Sequence, residues 1–225
     1  MKITVFNGSP RGANSNTHVI AEALLKGAKK ADAEVENIFL SEKRVNHCAG
    51  CFSCWYKTPG KCIYRDDMDN LLQTCLSSDI VCFATPVYSW NMTAYLKNFI
   101  DRLIPIKRPT VVESSGNYDM ENNQNKLPKI VIISNSGFPG ENNFETMRTV
   151  MKTGNPILEV YRNCGMLLRS KDPVVVKVIK KYLDVVFTAG YELASNLSVS
   201  EETQANLNME LMPIDEYIQY ISKEN

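Results

Sequence analysis

The chain has 225 residues, enough for one large domain with a sizeable core. Hydrophobic content of 44% and charged content of 22% are those of a water-soluble globular protein. The 25 basic residues equal the 25 acidic ones, which leaves no net field to draw in nucleic acid or an anionic membrane, and no apolar run approaches the ~18 residues of a membrane span.

The chain enters directly into a predicted strand, Lys2 to Phe6, short, apolar and β-branched, so no signal peptide is expected and a cytoplasmic protein is. A loop follows, Asn7-Gly8-Ser9-Pro10-Arg11-Gly12-Ala13-Asn14-Ser15-Asn16-Thr17. Beyond it Val19, Ile20, Ala23, Leu24 and Ala28 recur at helical spacing, with Asn16 or Thr17 set to cap the helix. Strand, Gly/Ser/Asn loop and helix N-terminus together make an anion site. The first-turn N–H groups lack intrahelical partners and carry the positive end of the helix dipole. Arg11 adds charge, and the short hydroxyl and amide side chains add donors. An ordinary strand-to-helix turn uses the same residues. The loop lacks the Gly-Lys-Ser/Thr of a P-loop and the three glycines of the dinucleotide fingerprint.

Val35 to Leu40 reads as a second strand. Next come Cys48, Cys51, Cys54 and Cys62, at C-x2-C-x2-C-x7-C spacing. Asp66 and Asp67 open a helix with acids at its positive end and Met68, Leu71, Leu72 and Cys75 on one face. Asp79 to Thr85 is a continuous apolar strand of the kind buried on both faces of a parallel sheet. Met92 to about Ile104 reads as a helix with Met92, Tyr95, Leu96, Phe99, Ile100 and Leu103 inward. Residues 112–128, rich in Ser, Gly and Asn, are expected to form a mobile loop. Lys129 to Ser134 is a strand, Asn143 to Lys152 a helix and Ile157 to Tyr161 a fifth strand. Pro173 opens a long helix to about Asn196. Residues 197–225 form a helical extension ending in the stripe Ile214, Tyr217, Ile218 and Ile221. No composition shift divides the chain, so residues 1–225 read as a single domain.

Strands alternating with helices predict an α/β fold, and the loops beyond the strand C-termini are where a ligand is expected. Three of those loops carry distinctive strings. Asn7-Gly8-Ser9-Pro10-Arg11 followed by Ser15-Asn16-Thr17 closely resembles the FMN-phosphate loop of the NADPH-dependent FMN reductase family, a flavodoxin-like branch. Thr85-Pro86-Val87-Tyr88, with Met92-Thr93-Ala94 and the segment from Leu96 to Arg102, resembles the loop that carries the isoalloxazine contacts in that family. Ser136-Gly137-Phe138 is similar to its third flavin loop. The resemblance covers about residues 1–165. It implies a flavodoxin-like three-layer fold, a five-stranded parallel sheet of order 2-1-3-4-5 with helices on both faces. It also implies bound FMN, with Ser9, Arg11, Ser15, Asn16 and Thr17 on the phosphate. Pro86, Val87, Tyr88, Ser89, Trp90 and Asn91 would hold the ring, together with Ser136 and Gly137. On residue type alone, Tyr88 and Trp90 suit either a flat ring or core packing.

The four closely spaced cysteines, in a reducing compartment, point to metal or redox chemistry. The x2, x2 rhythm is close to that of a ferredoxin run, whereas zinc sites more often present two separated pairs. The segment resembles the compact cysteine motif of iron–sulfur flavoproteins, which implies a 4Fe–4S cluster on Cys48, Cys51, Cys54 and Cys62. It also resembles reductases of the same superfamily that need no cluster, which leaves the four as packed, unligated thiols. Cys75 and Cys82 lie on apolar faces and read as core, and Cys164 has no evident role. His47 borders the cysteines, and His18 reads as a helix-start residue.

The function implied is that of an FMN-dependent NAD(P)H oxidoreductase, passing electrons from a nicotinamide to a small acceptor, with no protein side chain as the catalyst. The rival readings are an iron–sulfur flavoprotein electron carrier, a flavodoxin-like carrier without enzymatic activity, and a nucleotide-sensing or metal-stabilised module without flavin. An aromatic-lipped site and the C-terminal apolar stripe predict a homodimer or homotetramer.

Overall fold

The computed structural model describes residues 1–114, 116–124 and 126–223, so Ser115, Asn125 and the last two residues, all within stretches discussed above, lie outside it. Five parallel strands form the central sheet: β1 (Lys2–Asn7), β2 (Glu34–Phe39), β3 (Ile80–Pro86), β6 (Lys129–Asn135) and β7 (Leu158–Arg162). Their order is β2-β1-β3-β6-β7, the order expected for the first five parallel strands of a flavodoxin-like fold. Between β3 and β6 the chain inserts an antiparallel pair, β4 (Lys107–Ser114) and β5 (Asn117–Asn122).

Alternation along each strand divides the core in two. Ile3, Val5, Ile80, Cys82, Ala84, Val131, Ile133, Leu158 and Val160 face one side. There they meet α1 (Asn16–Lys30) and α6 (Pro173–Asn196). Phe6, Val81, Phe83, Ile132 and Tyr161 face the other. That side is covered by α3 (Met68–Ser77), α4 (Ala94–Asp101) and α5 (Glu145–Met151). Helices α1 and α6 touch through glycine. A Cβ on Gly27 would lie 1.8 Å from the Phe187 carbonyl oxygen, and one on Gly190 would lie 1.9 Å from that of Leu24. Neither position admits a larger residue without moving backbone. Asp172 starts α6 by accepting the Val174 N–H at 2.7 Å, with Pro173 at the first helical position.

Several local expectations shift. Ser15, not Asn16 or Thr17, caps α1, its Oγ accepting the His18 N–H at 3.0 Å. Thr93 caps α4, so that helix begins at Ala94 rather than Met92, and Tyr95 is exposed rather than inward. The stretch read as a mobile loop is largely the β4–β5 hairpin. It is closed at its base by Asn123, whose Nδ2 donates to Pro105 O at 2.6 Å and Lys107 O at 3.1 Å. Its Ser, Gly and Asn content hid the β-branched run Thr110-Val111-Val112 and the alternation of residues 118–121. Cys164 is buried in the core on the α1 and α6 side, as Cys82 is, while Cys75 is buried on the opposite side.

The extension continues with α7 (Glu201–Asn206) and α8 (Ile214–Lys223). Half of its stripe is spent on the chain itself. Tyr217 is fully buried and Ile221 packs on the core, leaving Ile214 and Ile218 as its exposed members. Among the described residues no helix is long and apolar enough to cross a membrane.

Candidate functional site

The C-terminal ends of β1, β3 and β6 bring three loops to one cleft of about 200 Å³. It is lined by Ser9, Arg11, Ser15, Asn16, Thr17, Pro86, Val87, Tyr88, Asn135 and Gly137. All but Asn135 are residues singled out in the sequence.

The first loop is held by its own backbone. Gly8 N–H reaches across to Ala84 O at 2.7 Å, and Thr93 Oγ1 donates to Gly8 O at 2.6 Å. Gly8 must be glycine here, because a Cβ would lie 2.7 Å from that of Leu96. Ser9 N–H is taken by Asn7 Oδ1 at 3.0 Å, and Gly12, at φ +51°, turns the chain into the helix. Ser15 satisfies His18, and among the described residues the N–H groups of Asn16 and Thr17 have no partner in the first turn. Hydroxyls of Ser9 and Thr17, the Asn16 amide, the Arg11 guanidinium and a helix N-terminus form a donor set suited to phosphate, whereas the Ser15 hydroxyl lines the cleft but is spent on Gly12 O at 2.7 Å. His18 stands aside. Burial lowers its proton affinity, and Asn37 Nδ2 donates to its Nδ1 at 2.9 Å.

The second loop is a tight turn. Tyr88 and Asn91 exchange backbone hydrogen bonds at 2.8 and 3.0 Å, with Ser89 at φ +47° and Trp90 at φ +61° between them. Two successive non-glycine residues in the left-handed region are strained, a feature that clusters at ligand sites. The turn carries Ser89, Trp90 and Asn91 beyond the cleft lining and leaves Trp90 68% exposed. In the third loop, Gly137 lines the cleft while Ser136 is buried behind it. Asn135 went unnoticed in the sequence. It ends β6, and its Nδ2 donates to Thr17 Oγ1 at 2.7 Å, tying the third loop to the first. A polar residue closing an otherwise apolar strand was the available signal.

The four cysteines line a second, smaller cavity of about 20 Å³ together with Tyr64, Arg102 and Ile104. Gly50 and Phe52, both in left-handed conformations, curl the segment, and α2 (Ser53–Tyr56) follows. Cys48 and Cys51 are exposed, Cys62 is half-buried and Cys54 is buried. Burial, and then the neighbouring Cys62, Cys48 and Cys51, push the Cys54 thiol up, whereas hydrogen bonds from Ser53 draw Cys51 down. The donor set suits an iron–sulfur cluster, and all four cysteines line one space. As the loop stands that space holds about one water, and among the described residues no three ligating groups are arranged to hold a metal ion.

Asp66 does not simply face the helix dipole. Its side chain and that of Arg102 are 0% and 1% exposed and form a two-pronged ion pair at 2.9 and 3.0 Å. Arg102 Nη1 also donates to Asn46 O at 2.6 Å, and Asn46 N–H to Asp66 at 2.8 Å. Burial disfavours the carboxylate, but the hydrogen bonds from Arg102, Asn46 and Met68 outweigh it and hold Asp66 well below the usual carboxylate range. The pair fastens the cysteine segment to the end of α4.

Among known proteins, the chain is 42% identical to an iron–sulfur flavoprotein of Archaeoglobus fulgidus over 117 residues, 52% of each chain. It thus spans about half the length of that curated relative. Two solved structures share the fold at low identity. An FMN-dependent NADH-azoreductase from Bacillus anthracis, in complex with FMN, superposes with a TM-score of 0.61 at 18% identity, over 88% of this chain and 99% of that one. An NAD(P)H:quinone oxidoreductase from Methanothermobacter marburgensis gives 0.59 at 15%, over 89% and 98%. The family model of NADPH-dependent FMN reductases matches residues 1–154, which contain the first two cleft loops, the cysteine segment and Gly137, and the chain belongs to that family.

Proposed function

We propose that the protein is an FMN-dependent NAD(P)H oxidoreductase that passes electrons from a nicotinamide to a small acceptor. The observation that carries this reading is the convergence of three separate loops, each resembling a flavin loop, on one cleft. At about 200 Å³ the cleft takes only part of a flavin nucleotide. Its polar end suits the phosphate, and the ring would extend along Pro86 and Val87 to the exposed rim at Tyr88 and Trp90. Bound FMN supplies the chemistry of hydride acceptance and electron release. The chain's part is to neutralise the phosphate through Arg11 and the α1 N-terminus, to orient the ring with backbone of the second and third loops, and to shield one side of it from water. The exposed rim leaves room for a nicotinamide and an acceptor to take turns, and acceptor chemistry is that of a quinone, another flavin, a metal ion or an iron–sulfur centre.

A second reading adds a 4Fe–4S cluster held by Cys48, Cys51, Cys54 and Cys62, with the protein as an electron carrier. The shared cavity of the four thiols favours it, as does the name borne by the Archaeoglobus relative. The cluster would supply one-electron transfer beside the flavin, and the cysteine loop would have to open to admit it. Exposed Tyr88, Trp90 and Phe138 beside the cleft support self-association as a homodimer or homotetramer.

One preparation tests these points together. Protein purified without oxygen should carry about one FMN per chain, bleach on adding NADH or NADPH, and sustain turnover with a quinone. Turnover without iron or sulfide would leave the oxidoreductase and remove the cluster. A cluster with no nicotinamide oxidation would favour the carrier. Colourless protein that takes up no FMN would exclude both, and a monomer by light scattering would exclude self-association.

A further inference from the structure

The third cleft loop is fastened from behind by the C-terminal extension. Tyr217 of α8 donates its hydroxyl to Gly137 O, and the ring is fully buried. Burial pushes that phenol up to about 12, so it stays a donor near neutral pH. The nitrogen end of the same peptide is held too, because Phe138 N–H donates to Ser136 Oγ at 3.1 Å. The preceding peptide is held through Gly165 N–H to Ser136 O at 2.8 Å. Ser136 N–H donates to Arg162 O at 2.9 Å, and Phe138 O accepts from Cys164 N–H at 3.2 Å. Among the described residues, the Gly137 N–H is the one backbone donor of residues 136–138 without a partner. It belongs to the residue that lines the cleft.

Gly137 has open surroundings, since an added Cβ would meet only Met166 Cγ at 3.9 Å. No neighbouring side chain crowds it, and glycine is the residue with most backbone freedom to lose. Its conformation is therefore set by what pins the peptides on either side, and one of those pins comes from 80 residues away. Two further contacts dock the extension. Arg162, 2% exposed, donates to Met209 O at 2.7 Å, and Ser170 Oγ lies 2.6 Å from Tyr220 OH.

We propose that Tyr217 is a positioning residue of the flavin cleft: by holding the Gly137 carbonyl it keeps the Gly137 N–H available as a donor to bound FMN, and so makes residues 197–223 part of the site. This rests on the reading of the cleft as the FMN site. Two consequences follow. Freeing the glycine weakens FMN binding, and FMN binding tightens the docking of α8, because coupling between two binding events is reciprocal.

Tyr217→Phe keeps the ring and removes only the hydroxyl. The FMN dissociation constant, read by quenching of flavin fluorescence, should rise about tenfold, equivalent to about 1.4 kcal/mol. A purely structural role for the hydroxyl would lower the melting temperature of the apoprotein and leave the affinity of the folded protein unchanged, which would overturn the proposal. Should the variant fail to fold, the wild-type protein still decides. Backbone amides of α8 should exchange more slowly with FMN bound, and identical exchange in the apo and FMN-bound forms would overturn it. Arg11→Ala with Asn16→Ala separates the two layers of inference. If that double variant binds FMN like wild type, the cleft reading itself falls. If it binds weakly while Tyr217→Phe binds normally, only the role of Tyr217 falls.

Discussion

Arg102→Leu should destabilise the protein by about 3–5 kcal/mol, the cost of leaving one member of a buried ion pair alone. Asp66 would then sit with no cation beside it, and the backbone of Asn46 would lose its donor. Asp66→Asn should be milder, since the amide oxygen can still accept one of the two Arg102 hydrogen bonds. Replacing both residues by apolar ones of similar volume should recover much of the loss. Urea unfolding of the four proteins at neutral pH checks the order. The pair also has a signature in acid. The folded-state pKa of Asp66 lies below its unfolded value, so its contribution is fully present above the ordinary carboxylate range. It is lost as the pH falls through the folded value, and wild type should lose more stability there than the apolar double variant. An Arg102→Leu protein as stable as wild type would show that the cysteine segment is held by something else, such as the Trp55 Nε1 donation to Ile104 O at 3.2 Å.

The second large effect concerns the cofactor. Arg11→Ala combined with Asn16→Ala should weaken FMN binding by about a hundredfold, since charge-assisted contacts to phosphate are among the stronger hydrogen bonds. Arg11 is exposed and Asn16 half-buried, and neither side chain holds the core together, so the apoprotein should melt as wild type does. Fluorescence titration and a thermal melt on the same sample read both halves of this expectation. Unchanged affinity would mean that the phosphate lies elsewhere and that the cleft is not the flavin site.

Much of this architecture could be read from the chain because its information is local. Strands such as Ile80–Ala84 and Ile130–Ile133 are unbroken apolar runs, and burial on both faces of a parallel sheet demands that. The cleft was legible for a related reason. Loops at the strand ends must combine tight turns with polar donors, and Asn7 to Thr17 has the composition for both. What escaped notice depends on partners distant in sequence. Asp66 stands where a helix start would want an acid, yet its partner is Arg102, 36 residues on. Tyr217 sits on an amphipathic stripe that suggested an outer surface, and it is buried against the third cleft loop. Asn135 gains its role only when β6 lies next to α1. The hairpin 107–122 was hidden by its composition, in which Pro109 and a Ser/Gly/Asn turn outweighed a short alternating pattern. The spacing of Cys48, Cys51, Cys54 and Cys62 announced that they act together, and they do share one cavity.

A cleft that binds a flavin by its phosphate discriminates between flavins with and without that group. Comparing FMN with riboflavin on the apoprotein tests this most directly, because the two ligands differ only in that group. Calorimetric titration should show FMN binding at least about a hundredfold more tightly than riboflavin, the difference shrinking as salt is raised and Arg11 is screened. Equal affinities for the two, or no uptake of FMN, would contradict the account.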